Sequence, residues 1–102
     1  MRLYTNYSDI YNDVITNLAT GTTPDVCVTY PDHIATYLTG ENTVVPLDTF
    51  WDDERWGLGG SEVRFDAPAK DEIIPEYLEE GKIGDHVYAL PFMRSTEALY
   101  IN

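Results

Sequence analysis

Thr22-Thr23-Pro24-Asp25-Val26-Cys27-Val28-Thr29-Tyr30-Pro31 is the stretch on which the reading of this chain turns. Pro24 biases Thr23 towards extended backbone, because a residue before proline avoids helical angles. The run 25–30 that follows is short, β-prone and nearly continuously apolar, as in a strand covered on both faces by helices. Before it, Tyr7, Ile10, Tyr11, Val14, Ile15 and Leu18 recur at three- and four-residue steps, which predicts an amphipathic helix. Asn6 or Ser8 serves as its N-cap, and Gly21 ends it in a left-handed turn. After the strand, Pro31 stops it and Asp32-His33 opens a second helix with Ile34, Tyr37 and Leu38 on one face. Val44-Val45-Pro46-Leu47 reads as a brief extended piece, and Asp48 as the cap of a short turn through Phe50 and Trp51. A third helix is predicted over 71–80, with Pro75 its dissonant residue and Gly81 its stop. The run 82–90 holds a glycine turn between two β-prone halves, a hairpin pattern, and 95–102 reads as a further strand. Helices alternating with strands predict an α/β fold.

Composition bounds what such a fold can do. The 102 residues suffice for one domain. Six basic against eighteen acidic side chains give a net charge of −12, which argues against nucleic acid and against an anionic membrane surface. A hydrophobic fraction of 43% with 13% aromatics is that of a folded chain rather than a disordered polyelectrolyte. Twelve of the eighteen acids fall in 41–80, and residues 51–70 with their Gly57-Leu58-Gly59-Gly60 and Pro68 read as an irregular acidic connection. The opening Met-Arg-Leu-Tyr-Thr-Asn carries no targeting pattern, and no apolar run reaches the roughly 18 residues of a membrane span.

Few residues invite catalysis. Cys27 sits inside the apolar run and reads as core packing, not as a nucleophile. Neither His33 nor His86 has a second ligand at zinc spacing, so no metal and no cofactor is expected. Asp52-Asp53-Glu54 lacks the alternating acids and central glycine of a calcium loop and reads as a solvated run. Polar and aromatic groups gather at two strand ends instead. At Tyr30-Pro31-Asp32-His33 a strand gives way to a helix, where open α/β sheets bind ligands. There Asp32 either accepts two sugar hydroxyls beside the flat face of Tyr30, or simply caps the helix. The second gathering is Arg94, Ser95, Thr96 and Glu97 at the entrance of the last strand.

These segments resemble the carbohydrate-type extracellular solute-binding proteins of bacterial ABC importers, the family of maltose- and glycerol-3-phosphate-binding proteins. Residues 7–18 followed by Gly21-Thr22-Thr23-Pro24-Asp25-Val26 resemble its helix, turn and strand. Tyr30-Pro31-Asp32-His33-Ile34-Ala35 is similar to its next ligand-side loop, and Val44-Val45-Pro46-Leu47-Asp48 to its hydrophobic–Pro–Leu–Asp step. Val87-Tyr88-Ala89-Leu90-Pro91-Phe92, Ser95-Thr96 and Leu99-Tyr100-Ile101-Asn102 resemble its Leu–Pro–Phe, Ser–Thr and Leu–Tyr–Tyr–Asn signature, with Ile101 where tyrosine is usual.

The resemblance implies that residues 1–102 form one partial α/β lobe, an internal piece of the first of two hinged lobes. It implies no enzymatic activity, a sugar or sugar-derivative ligand, and a parent protein, extracellular or periplasmic and lipid-anchored, that serves an ABC permease. Asp32 and His33 fall where sugar hydroxyls would be met, and Ser95 and Thr96 where the signature loop faces the cleft. Arg94 has no fixed family role and is left to a ligand anion or an acidic neighbour. A small carbohydrate-active enzyme domain and a stand-alone protein-interaction module are the alternatives. A lobe lacking a sheet neighbour is further expected to form a homo-oligomer.

Overall fold

Helix formation begins where a side chain can replace the missing intrahelical partners. The side chain of Asn6 accepts the backbone N–H of Asp9 at 2.9 Å and starts α1, Tyr7–Thr20. Gly21, at φ +73°, closes it by donating its N–H to the carbonyl of Asn17. The computed structural model describes residues 1–60, 63, 66, 68–95 and 97–101. Of the apolar stripe of α1 only Val14 is fully buried, and the other five positions are half-covered. Arg2 and Tyr4 both bind the Asp13 carboxylate on the outer side of this helix.

Helix α2, Pro31–Tyr37, packs on α1. Proline takes the first helical position, where its absent N–H costs nothing and its fixed φ suits the helix. Tyr30 is therefore the N-cap, and Asp32 lies within the first turn rather than capping it. The carboxylate still favours that turn through the helix dipole. Ile34 and Tyr37 point inward and are 3% exposed each.

The same proline logic revises the third helix. Instead of one helix over 71–80 there is a 3-10 turn, Lys70–Glu72, a break at Ile73 and Ile74, and then α3, Pro75–Glu79. Pro75 begins the helix that it would have broken from within. Gly81 follows α3, and a Cβ there would meet the Ala89 carbonyl oxygen at 2.3 Å, so only glycine admits the returning chain. That chain is a hairpin of β1, Lys82–Ile83, and β2, His86–Val87, paired antiparallel with Ile83 opposite His86. Gly84 supplies the positive φ of its turn, at +63°.

A single carboxylate anchors this hairpin. Asp48 lies inside the 3-10 turn Leu47–Phe50 and does not cap it. One of its oxygens accepts the Val87 N–H at 3.0 Å, and the other meets His86 Nδ1 at 2.9 Å. An ionised carboxylate only accepts, so His86 carries its proton on Nδ1. Residues 51–60 form turns tied by Gly57 N–H to the Asp53 carbonyl and Leu58 N–H to the Trp51 carbonyl. Lys70 covers the Trp51 ring at 4.4 Å, adding a cation–π contact.

The parallel sheet expected around 25–30 is not formed among the described residues. The stretch runs extended between α1 and α2 without strand partners, which leaves Val26 87% and Val28 44% exposed. Likewise 95–101, its masked position 96 aside, holds no strand. Among the described residues Val14, Ile34, Tyr37, Leu78 and Val87 are the buried large apolar side chains, shared between the helix pair and the α3–hairpin unit. With so little shared core the radius of gyration is 15.7 Å, against about 13 Å for a close-packed chain of this length.

The Asp48 clamp makes stability pH-dependent. The hydrogen bond from His86, aided by Val87 N–H, holds the Asp48 carboxyl below its ordinary 3.8. A depressed folded value means the contribution is complete above 3.8 and is lost as pH falls through that lower value. Asp48→Asn is expected to lower the thermal midpoint at neutral pH and to flatten its decline between about pH 5 and about pH 2. Asp13, held low by Tyr4 and then Arg2, contributes a slope of the same sign that the substitution leaves in place. Calorimetric scans of both proteins over that range check this.

Candidate functional site

The start of α2 gathers rings from two helices. Tyr7 and Tyr11, one turn apart on α1, reach across to Tyr30 and His33 at the beginning of α2. The Tyr7 and Tyr30 centroids are 4.4 Å apart, and those of Tyr11 and His33 4.5 Å. Tyr30 meets His33 edge-on at 5.5 Å, while Tyr11 stacks on Tyr37 at 5.9 Å. Tilted and edge-on pairs place ring hydrogens against a neighbour's electron-rich face, which fixes the rings beyond mere burial. Tyr30 stays half exposed, and Asp32 stands beside it with its carboxylate in solvent.

Next to this cluster opens a cleft of about 980 Å³. Its two walls are residues 23–31 and 88–94, with Ile34 and Tyr37 of α2 and Val14 of α1 behind them. The Tyr37 and Thr29 hydroxyls share a hydrogen bond at 3.4 Å, and burial pushes the Tyr37 phenol up against the pull of the Thr29 hydroxyl. Burial also raises the Cys27 thiol, which keeps it protonated and a poor nucleophile near neutral pH.

Arg94 closes the far wall. Its guanidinium donates to the Glu80 carboxylate and lies 5.9 Å from the Tyr77 ring centre. The acidic neighbour left open by the sequence is thus Glu80, and Arg94 remains about half exposed beside it.

Of the residues singled out from sequence, Tyr30 and Arg94 line one cleft. Asp32 directly follows Pro31 of one wall, His33 turns to Tyr11 and Tyr30, and Ser95 follows Arg94 into solvent. Thr96 lies outside the described residues. Tyr7 and Tyr11 were read only as a packing stripe. Their signal was the aromatic pair at a four-residue step, facing a segment that opens with another tyrosine.

The acidic runs have structural duties. One Asp53 oxygen accepts the N–H groups of Arg55 and Trp56 at 2.8 and 2.9 Å, an Asx turn. Among the described residues no three His, Cys, Asp or Glu side chains group as metal ligands. Nor is any described helix long and apolar enough to cross a membrane. Comparison with known protein families finds no matching family model, and comparisons with curated proteins and with solved structures find no match.

Tyr11 holds two of the four ring contacts. Tyr11→Leu keeps an apolar side chain and removes both, so urea unfolding should show a loss of about 1 to 2 kcal/mol. An unchanged midpoint would mean that the rings contribute burial alone.

Proposed function

We propose that the chain belongs to the first lobe of an α/β solute-binding protein that takes a sugar or sugar derivative and presents it to an ABC importer at the outer face of a membrane. The observation that carries the reading is that Tyr30 and Arg94, from distant parts of the chain, line the same cleft. A sugar has flat apolar faces and a rim of hydroxyls, so its site needs an aromatic surface edged by hydrogen-bonding groups. Tyr30 supplies the surface, Asp32 a free carboxylate that accepts two hydroxyls, and Arg94 a cation suited to a phosphate or carboxylate substituent. Ser95 is assigned to the rim that the ligand meets on lobe closure.

One lobe offers half of the contacts of a closed cleft, and so the affinity of this chain alone should be weak.

Resonance titrations with neutral disaccharides and with sugar phosphates test this. Saturable shifts are expected at Tyr30, Asp32 and Arg94, in the millimolar range. Asp32→Ala and Ser95→Ala should each weaken binding about fivefold or more, the loss of a hydrogen bond worth about 1 to 3 kcal/mol. No saturable shift with either ligand class, or equal affinity in both variants, would overturn the reading.

A further inference from the structure

Among the described residues the charged side chains that line the cleft are Asp25 on one wall and Glu80 and Arg94 at the other. The cation among them is already engaged. Arg94 donates to the Glu80 carboxylate and lies 5.9 Å from the ring centre of Tyr77, which lines the same wall. The fold brings this acid to it. Glu80 is the C-cap of α3, and the Tyr88 N–H on the Gly81 carbonyl, at 2.9 Å, turns the chain back beside it. Glu76 precedes Glu80 by four residues, a like charge that makes a counter-ion there more favourable. The neighbouring Glu79 has Lys82 at 3.3 Å, and Glu80 has Arg94.

We propose that Glu80 determines the specificity of this cleft: by engaging Arg94 in advance it turns the site away from anionic ligands and towards neutral polyols with adjacent hydroxyls. The proposal rests on the reading of the cleft as a sugar site. Arg94 suits an anion by its chemistry, yet an anion that reaches it must displace a carboxylate already in place. It must do so where one cation faces two acids, on a chain of net charge −12.

A hydroxyl meets no such competition. Among the described residues the guanidinium engages Glu80 through Nη1, and Glu80 accepts through Oε2. The remaining N–H groups and the second carboxylate oxygen therefore stand beside one another, donors next to an acceptor. Hydroxyls both donate and accept, so two on neighbouring carbons bridge the pair without parting it. The two side chains are 51% and 39% exposed, which leaves both within reach of a ligand. An ion pair so exposed is of modest strength, and anions are disfavoured rather than barred.

Titration with inorganic phosphate at constant ionic strength, read at the Arg94 side-chain resonances, tests the role of Glu80 without any sugar. Glu80→Gln keeps the size of the side chain and removes its charge. This variant should bind phosphate about fivefold more tightly than the parent chain, with the parent's helical circular dichroism. Adding Arg94→Gln to it should abolish the gain, an outcome that mere loosening of α3 does not produce. The ratio of affinities for a hexose phosphate and the free hexose should rise in Glu80→Gln by a similar factor. Equal phosphate affinity in the parent and Glu80→Gln would overturn the proposal. So would a gain that survives the loss of Arg94. If neither protein binds a sugar, the sugar reading fails by itself, and the phosphate result still decides for or against Glu80.

Discussion

A backbone amide or carbonyl needs a partner in the chain or in water, and among the described residues 23–29 make no backbone hydrogen bond and lie mostly in water. Most of the architecture follows from that constraint. Because no strand lies beside it, the stretch joins α1 to α2 as a wall rather than as the centre of a sheet. The space that a neighbouring strand would fill is the cleft. The outward side chains Val26 and Val28 stay in water, and only Val14, Ile34 and Tyr37 are buried where the two helices meet.

The other half of the molecule settles its polar groups locally. Asp48 spends both carboxylate oxygens on the hairpin, one on a main-chain N–H and one on His86. Gly81 lets the returning chain approach within a distance that any Cβ would forbid. Arg94 then ties the chain after the hairpin to Glu80, so the second wall of the cleft hangs from a unit that is already braced. The cleft is bounded on one side by a helix pair held through rings, and on the other by a hairpin held through charge.

What could be read in the sequence is what local chemistry decides. Asn6, the apolar stripe and Gly21 mark both ends and one face of α1, because caps and periodicity act within a turn. The glycine hairpin at 82–87 was legible for the same reason. Pro75 was read as an obstacle inside a helix, although a proline is most at ease at a helix start, and Pro31 follows the same rule. Asp48 was assigned to its nearest turn, since nothing in the residues around it names a partner 38 positions away. The β character of 25–30 was plain in its composition. Pairing, however, belongs to whatever chain lies alongside, and no run of residues carries that information by itself. At the cleft, Tyr30 and Arg94 were singled out from their places at segment ends. The ring contacts of Tyr7 and Tyr11 were not read, because an aromatic on a helical stripe shows its period and not its neighbours across the fold.

The central claim is that 25–29 is extended chain whose backbone stays open to water in the folded protein. Amide hydrogen exchange measured across a dilution series addresses it residue by residue. The N–H groups of Val26, Cys27, Val28 and Thr29 should exchange freely at the lowest concentration, while those of α1 beyond its first turn stay protected. Strong protection of 26–29 that is already complete at the dilution limit would contradict the account.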